Sequence, residues 1–229
     1  MKQVTALVVV AITIAGTACE PPKSDPVVEP DAAPDAPIGP VPTPACAADP
    51  AACLYLPGLT EIDTSVGTLA DPDRVGGPRE IRTAVRTSRL ATTPMPIVIW
   101  SHGGASGQLD AIGALEQWAI AGAEAGYFSV AIAHSPRDQA SREALCAELG
   151  FDAAGCATFK FLSYDRPLDI AFVIDMLIQL GTGPLSGLID PTRIAVGGHS
   201  GGAGGTLMVD GAPREINGVS TLMSDPRPV

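Results

Sequence analysis

The sequence has few basic side chains, and this scarcity excludes one class of partner. It contains 14 lysines and arginines against 25 aspartates and glutamates, which gives a net charge of −11. Proteins that bind nucleic acids need clustered basic side chains to contact phosphates. We therefore expect no nucleic-acid partner.

Three further motifs are missing. No Cys-x-x-Cys or His-x-x-x-His spacing occurs, so we predict no metal site. No lysine follows Lys160, so the glycine-rich stretch 197–205 lacks the Gly-Lys-Ser/Thr ending of a phosphate-binding loop. No spacing of these glycines fits a dinucleotide fingerprint well, and too little chain follows them for a complete βαβ unit. The glycines therefore require another explanation.

Ser200 supplies that explanation. It lies in Gly198-His199-Ser200-Gly201-Gly202, directly after the apolar run Arg193–Gly197. A strand followed by Gly-x-Ser-x-Gly is the pattern of a nucleophile elbow, a sharp turn that projects a reactive serine. Glycines on both sides allow neighbouring backbone to approach closely. The sequence thus favours a nucleophile elbow, with Ser200 as the catalytic nucleophile, over the alternative of a plain flexible loop.

A second motif lies about 100 residues earlier. Pro96-Ile97-Val98-Ile99-Trp100 has the pattern of a buried strand and ends in Ser101-His102-Gly103-Gly104. An ordinary strand-to-helix turn is the alternative interpretation. A third stretch, Arg166-Pro167-Leu168-Asp169 followed by an apolar helix pattern, lies between the two motifs.

Together these stretches resemble the bacterial branch of α/β-hydrolases that contains dienelactone hydrolases and platelet-activating-factor acetylhydrolases. The resemblance covers roughly 79–229 and implies an α/β-hydrolase fold, a mostly parallel sheet flanked by helices. It also implies hydrolysis of carboxylic esters through an acyl-serine intermediate, without metal or organic cofactor. The backbone N–H groups of Gly104 and Gly201 would form the oxyanion hole. The substrate would be a small-molecule or lipid ester.

The chain departs from this pattern in its histidines. The fold's order is serine, acid, histidine, but the histidines are His102, His134 and His199, all before Ser200. We therefore expect the C-terminal part of the fold to be missing. His134 follows a predicted strand and is the candidate substitute base. The alternative function is a non-catalytic surface lipoprotein that keeps the fold without the catalytic histidine.

The N-terminus has the pattern of an export signal. A short basic start, an apolar stretch to residue 18 and small residues before Cys19 predict a signal peptide over 1–18 and lipidation of Cys19. Cleavage by an ordinary signal peptidase is the alternative. We expect an extracytoplasmic protein, anchored to the membrane or secreted. The proline- and aspartate-rich segment 19–57 predicts an extended tether, and 58–229 the hydrolase domain.

Once Cys19 is lipidated, four cysteines remain. The simplest of three connectivities joins Cys46 to Cys53 and Cys146 to Cys156. Such disulfides fit an oxidising compartment.

Strands and helices alternate along the domain, which predicts a parallel sheet with helices on both faces. The predicted strands are 79–86, 97–100, 128–133 and 194–197, and the predicted helices are 109–125 and 167–180. Pro167 is expected in the first turn of its helix. The long segment 135–163 is expected to lie over the active-site face as a loop that shapes the pocket.

Overall fold

The centre of the molecule is a five-stranded sheet. The structure, a computed structural model, describes residues 62–91, 94–104 and 112–228. The strands are β1 (Ile62–Asp71), β2 (Arg79–Ser88), β3 (Met95–Ser101), β4 (Phe128–Ala133) and β5 (Ile189–Gly198). Their order across the sheet is β1-β2-β4-β3-β5. β3 runs parallel to β4 and β5, whereas β2 is antiparallel to β1 and β4.

The described residues form five α-helices. They are α1 (Glu116–Glu124), α2 (Gln139–Glu148), α3 (Ala153–Thr158), α4 (Phe161–Gly181) and α5 (Gly201–Val209). A hairpin of β6 (Arg214–Ile216) and β7 (Val219–Thr221) follows α5. No helix in the described ranges is long and apolar enough to cross a membrane.

The sheet is covered on both faces, as predicted. On β3, Ile97 and Ile99 belong to the larger apolar cluster, with Ile170 and Ile174 of α4. Trp100 packs with the smaller cluster, which includes Ala119 of α1. Successive strand residues point to opposite faces, so one strand serves both clusters. β4 is buried along its whole length, as expected for a strand covered on both sides. The result is a mixed α/β architecture compatible with an α/β-hydrolase-like fold.

The segment 135–163 differs from the prediction. It contains α2 and α3 instead of a plain loop. Asp138 and Asp152 cap these helices by accepting hydrogen bonds from Ser141 N and Gly155 N. A disulfide between Cys146 and Cys156 joins the two helices, which confirms the predicted pair.

Two helix starts also differ. α4 begins at Phe161, so Pro167 lies inside the helix and not in its first turn. A proline there removes the N–H that would bond to the carbonyl of Ser163. Buried hydrogen bonds of Asp165 and Arg166 hold the first turns in helical form despite this loss. The other helix, predicted from residue 109, begins at Glu116 after a 3₁₀ turn at Gly113–Leu115.

The first strand of the domain was not predicted. β1 is mostly exposed and has no apolar pattern that predicted it. Near the other end, Pro228 forms one parallel bridge with Ile194 of β5. The signal segment 1–18, the tether 19–57 and the cysteines Cys19, Cys46 and Cys53 lie outside the described residues.

Candidate active site

The sheet brings the two glycine motifs together. β3 and β5 are adjacent and parallel, and Ser101 at the end of β3 lies opposite Gly198 at the end of β5. His199 N donates to the Ser101 carbonyl at 3.1 Å, which joins the two turns directly. Ligands in α/β sheets bind beyond the carboxyl ends of such strands, where neighbouring connections leave in different directions.

Ser200 adopts the backbone conformation of a strained turn. Its φ is 52° and its ψ is −115°, and it directly precedes α5. A positive φ in a residue with a side chain is unusual and is often found at functional sites. Ser200 is also exposed to solvent. The conformation is that of the predicted elbow.

The two motif glycines are required by close backbone contacts. A Cβ on Gly198 would lie 2.5 Å from the carbonyl carbon of Gly202. A Cβ on Gly202 would lie 2.0 Å from the carbonyl oxygen of Ser101. Any side chain at either position would force the turn and the end of β3 apart, so the packing reason predicted for these glycines is confirmed.

A cavity of about 580 Å³ opens beside Ser200. Gly104 and Gly201 line it together with Phe159 and Phe161. Its other walls come from segments around α2, α3 and the start of α4, so the segment 135–163 does shape this pocket. Among the described residues, its lining includes four cationic side chains and no acidic one: Arg137, Arg142, Lys160 and Arg166.

A second cavity of about 610 Å³ is lined in part by Gly197 and Gly198 but not by Ser200. Trp100, Trp118 and Val196 are among its mainly apolar lining residues, on the sheet face that carries α1. It does not include the serine, so the smaller cavity is the candidate active site.

The predicted oxyanion donors flank the serine. Gly104 has a φ of 84°, a left-handed conformation that favours glycine. Gly201 is the first residue of α5, where backbone N–H groups have no partner within the helix. No hydrogen bond among the described residues uses the N–H of Gly104 or Gly201. Their role as oxyanion donors stays a prediction.

His102 precedes the Gly103-Gly104 turn and is buried, with only 1% of its surface exposed. Its Nε2 accepts a hydrogen bond from the backbone N–H of His134 at 3.1 Å. Nδ1 therefore carries the proton and donates it to the Gly103 carbonyl at 2.6 Å. Burial lowers the pKa of His102 to about 4, against the opposing effect of the bond to Gly103. The ring is thus neutral at pH 7.

His134 does not contact the serine. It is fully buried, and its Nδ1 donates to Asp169 Oδ2 at 2.9 Å. Its Nε2 accepts from the buried hydroxyl of Ser101 at 2.7 Å. Burial lowers the pKa of His134, although Asp169 acts in the opposite direction. Both ring nitrogens have partners other than Ser200, so the structure does not support His134 as the substitute base.

His199, the third histidine, has no hydrogen bond to Ser200 either. Its ring lies against Gly103, where an added Cβ would be 2.7 Å from His199 Nδ1. Of the acids after the nucleophile, Asp225 is engaged by the guanidinium of Arg227. In the described residues, Ser200 therefore has no hydrogen-bonded base.

Sequence reasoning missed a buried ionic network behind the site. Asp169 accepts hydrogen bonds from Arg74 and Arg79, in addition to His134. Burial alone would raise the pKa of Asp169, but the bonds from His134 and Arg79 hold it well below its usual value. Asp165, one turn earlier on α4, receives a forked pair of bonds from Arg137. The partners are distant in sequence, so no local pattern could reveal them.

Sequence reasoning also left Arg166 without a role. Its Nη1 donates to the His102 carbonyl at 2.7 Å, and its Nη2 donates to the Gly104 carbonyl at 2.6 Å. The available signal was the Arg-Pro-x-Asp stretch, in which Arg166 and Asp169 are three residues apart and so share one face of a helix.

Comparisons with known proteins find similarity among solved structures alone, and the one named here is distant. No protein-family model matches the sequence, and no curated protein matches it. Among solved structures, one named bacterial heroin esterase is similar over 72% of this chain, with 19% identity and a TM-score of 0.35. The chain spans less than half of that protein, 45% of its length. At this level the similarity says nothing about activity, so the functional argument rests on the geometry around Ser200.

Proposed function

We propose that this protein is an exported serine hydrolase that cleaves carboxylic esters through an acyl-serine intermediate. The observation that carries the proposal is the strained, exposed Ser200 at the floor of a pocket, against a second glycine loop. This combination projects a nucleophile into a space large enough for a small-molecule or lipid ester. A flexible glycine linker would have no reason to hold a positive φ at a serine.

The chemistry assigns one role to each part of the site. The Ser200 oxygen attacks the ester carbonyl, its proton passes to a solvent water molecule, and the carbonyl oxygen becomes an oxyanion. The N–H groups of Gly104 and Gly201 stabilise that charge, and collapse of the intermediate releases the alcohol, which takes up a proton from solvent. Water then hydrolyses the acyl-serine. Because no histidine bonds to Ser200, we expect slow turnover, sustained by the oxyanion hole at roughly 10³-fold over water.

The missing base also favours a second candidate, a non-catalytic surface lipoprotein. All three histidines of the chain are described, and none hydrogen-bonds to Ser200. Such a protein would use the same pocket to bind a ligand without cleaving it. It would retain the fold but leave Ser200 unreactive.

A fluorophosphonate probe distinguishes the two candidates. The full chain is exported, purified and treated with a neutral fluorophosphonate, and the labelled residue is located by mass spectrometry. The hydrolase is expected to be labelled at Ser200, with labelling abolished by Ser200→Ala. Ser163→Ala is the matched control because Ser163 lines the same pocket, and it should be labelled as the wild type is.

The contrary outcome is equally clear. An unlabelled protein whose circular dichroism and cooperative melting show a native fold would contradict the hydrolase and favour the binding protein.

A further inference from the structure

Arg166 carries a buried charge that the proposed chemistry does not use. Its side chain is 1% exposed, and no carboxylate among the described residues lies within 4.0 Å of it. The other buried arginines near α4 differ, because Arg74, Arg79 and Arg137 are each paired with aspartates. A buried charge without an ionic partner is costly unless hydrogen bonds compensate for it. The groups that accept those bonds therefore indicate what the side chain does.

The hydrogen bonds of Arg166 surround one peptide group. The peptide that carries the Gly104 N–H joins Gly103 to Gly104. Arg166 holds the carbonyl before it, that of His102, and the carbonyl after it, that of Gly104. The carbonyl of this peptide, on Gly103, is held by His102 Nδ1. Three successive carbonyls are therefore fixed, and the direction of the N–H between them is fixed as well.

Helix α5 is shaped to admit this arginine. A Cβ on Gly201 would lie 2.7 Å from Arg166 Nη1, and a Cβ on Gly205 would lie 2.9 Å from Arg166 Cβ. The two glycines are four residues apart and thus share one face of the helix. Gly204 lies next to Gly205 but points elsewhere, since a Cβ there would meet nothing within 4 Å. The guanidinium therefore lies between the two segments that bear the predicted oxyanion donors.

We propose that Arg166 is a positioning residue that presets the Gly104 N–H as an oxyanion donor by holding the carbonyls on both sides of its peptide. The inference rests on the proposed function of Ser200, but it concerns the geometry of the loop and not the identity of the nucleophile. A side chain with two donors in one plane suits this task, because it can hold two carbonyls at once. Lysine has the same charge without that fork.

The first test measures how fast Ser200 reacts with the fluorophosphonate, resolved into the inhibition constant KI and the maximal rate kinact. Arg166→Met and Arg166→Lys should both lower kinact about 100-fold and leave KI within about threefold, because a misdirected donor affects the transition state. Arg89→Met is the matched control. It removes an exposed arginine that pairs with Asp63 and does not line the Ser200 pocket, so it should leave kinact unchanged. Unchanged kinact in Arg166→Met, or full rescue by lysine, would overturn the proposal.

A second pair of variants keeps the arginine and moves it. Gly205→Ala inserts a methyl group against Arg166, whereas Gly204→Ala places the same group in open space. Both changes raise helix propensity equally. Gly205→Ala should lower kinact about 10-fold or more, and Gly204→Ala should leave it unchanged. Equal kinact in the two variants would count against the proposal even if Arg166→Met failed to fold.

A third measurement does not depend on reactivity. In uniformly ¹⁵N-labelled full chain, Arg166→Met should shift the amide signals of Gly103 and Gly104 and add exchange broadening on the microsecond-to-millisecond timescale. Arg89→Met should do neither. If wild-type Ser200 is never labelled, the proposed function fails, yet these signals still decide the role of Arg166. Unaltered signals in Arg166→Met would refute it.

Discussion

His102 and His134 are buried, neutral side chains, and their neutrality has a consequence for stability. Burial lowers the pKa of both rings in the folded protein, to about 4 for His102. The unfolded chain titrates near 6.5 and so takes up protons first as the pH falls. The stability that the neutral rings contribute is therefore fully present above pH 6.5 and is lost as the pH falls from 6.5 towards 4.

We predict that the free energy of unfolding decreases by about 2 kcal/mol between pH 7 and pH 5 from His102 alone, with His134 adding in the same direction. Urea denaturation at the two pH values measures this. His102→Gln should reduce the difference between the two pH values, whatever its effect on overall stability. Equal unfolding free energies at both pH values would contradict the assignment of buried, neutral rings.

Several elements were predictable because their signals are local. The buried strands β3 and β4 are short apolar runs, and the elbow is a glycine pattern after a strand, so their positions followed from the sequence. The start of α4 could not be predicted in this way. The rule that places proline in the first turn of a helix considers only the helix itself and not its hydrogen bonds to distant residues. Asp165 accepts a buried hydrogen bond from Arg137 and Arg166 donates one to the His102 carbonyl, and these bonds stabilise the helical turns before Pro167.

The candidate site was also predictable only where its signals are local. Ser200 and its flanking glycines were identified from a local motif. The exclusion of His134 could not be, because it depends on Ser101 and Asp169, which approach only in the folded chain. The same is true of Arg166, whose partners lie 62 and 64 residues away.

The disulfide between α2 and α3 stabilises an element that forms the pocket wall. Its cysteines are 10 residues apart, and a loop of that size predicts a contribution of about 2–3 kcal/mol. We expect the double variant Cys146→Ser/Cys156→Ser to lose that amount of unfolding free energy in urea denaturation. Reducing agent should lower the melting temperature of the wild type and leave that of the double variant unchanged. A wild type insensitive to reduction would contradict the prediction.

At the scale of the whole molecule, we propose an anchored, extracytoplasmic location. The net charge of −11 offers no electrostatic attraction to anionic lipid, so membrane binding would depend on a lipid at Cys19. Cys19→Ser is expected to move the protein from the membrane fraction to the soluble extracytoplasmic fraction. Immunoblots of fractionated cells measure this, with Cys146→Ser as the control that keeps Cys19. Unchanged fractionation of Cys19→Ser would favour the secreted alternative.

Helix α4 links the His102–Gly104 loop to the ionic network through residues only three positions apart. Arg166 holds the loop, and Asp169 holds Arg74, Arg79 and His134. Each residue inserted into a helix rotates the remainder of that helix by about 100°. A single insertion between these two positions would turn one of them away from its partners. Evolution of this protein should therefore accept many substitutions along the exposed face of α4 but almost no change in the number of residues between Arg166 and Asp169.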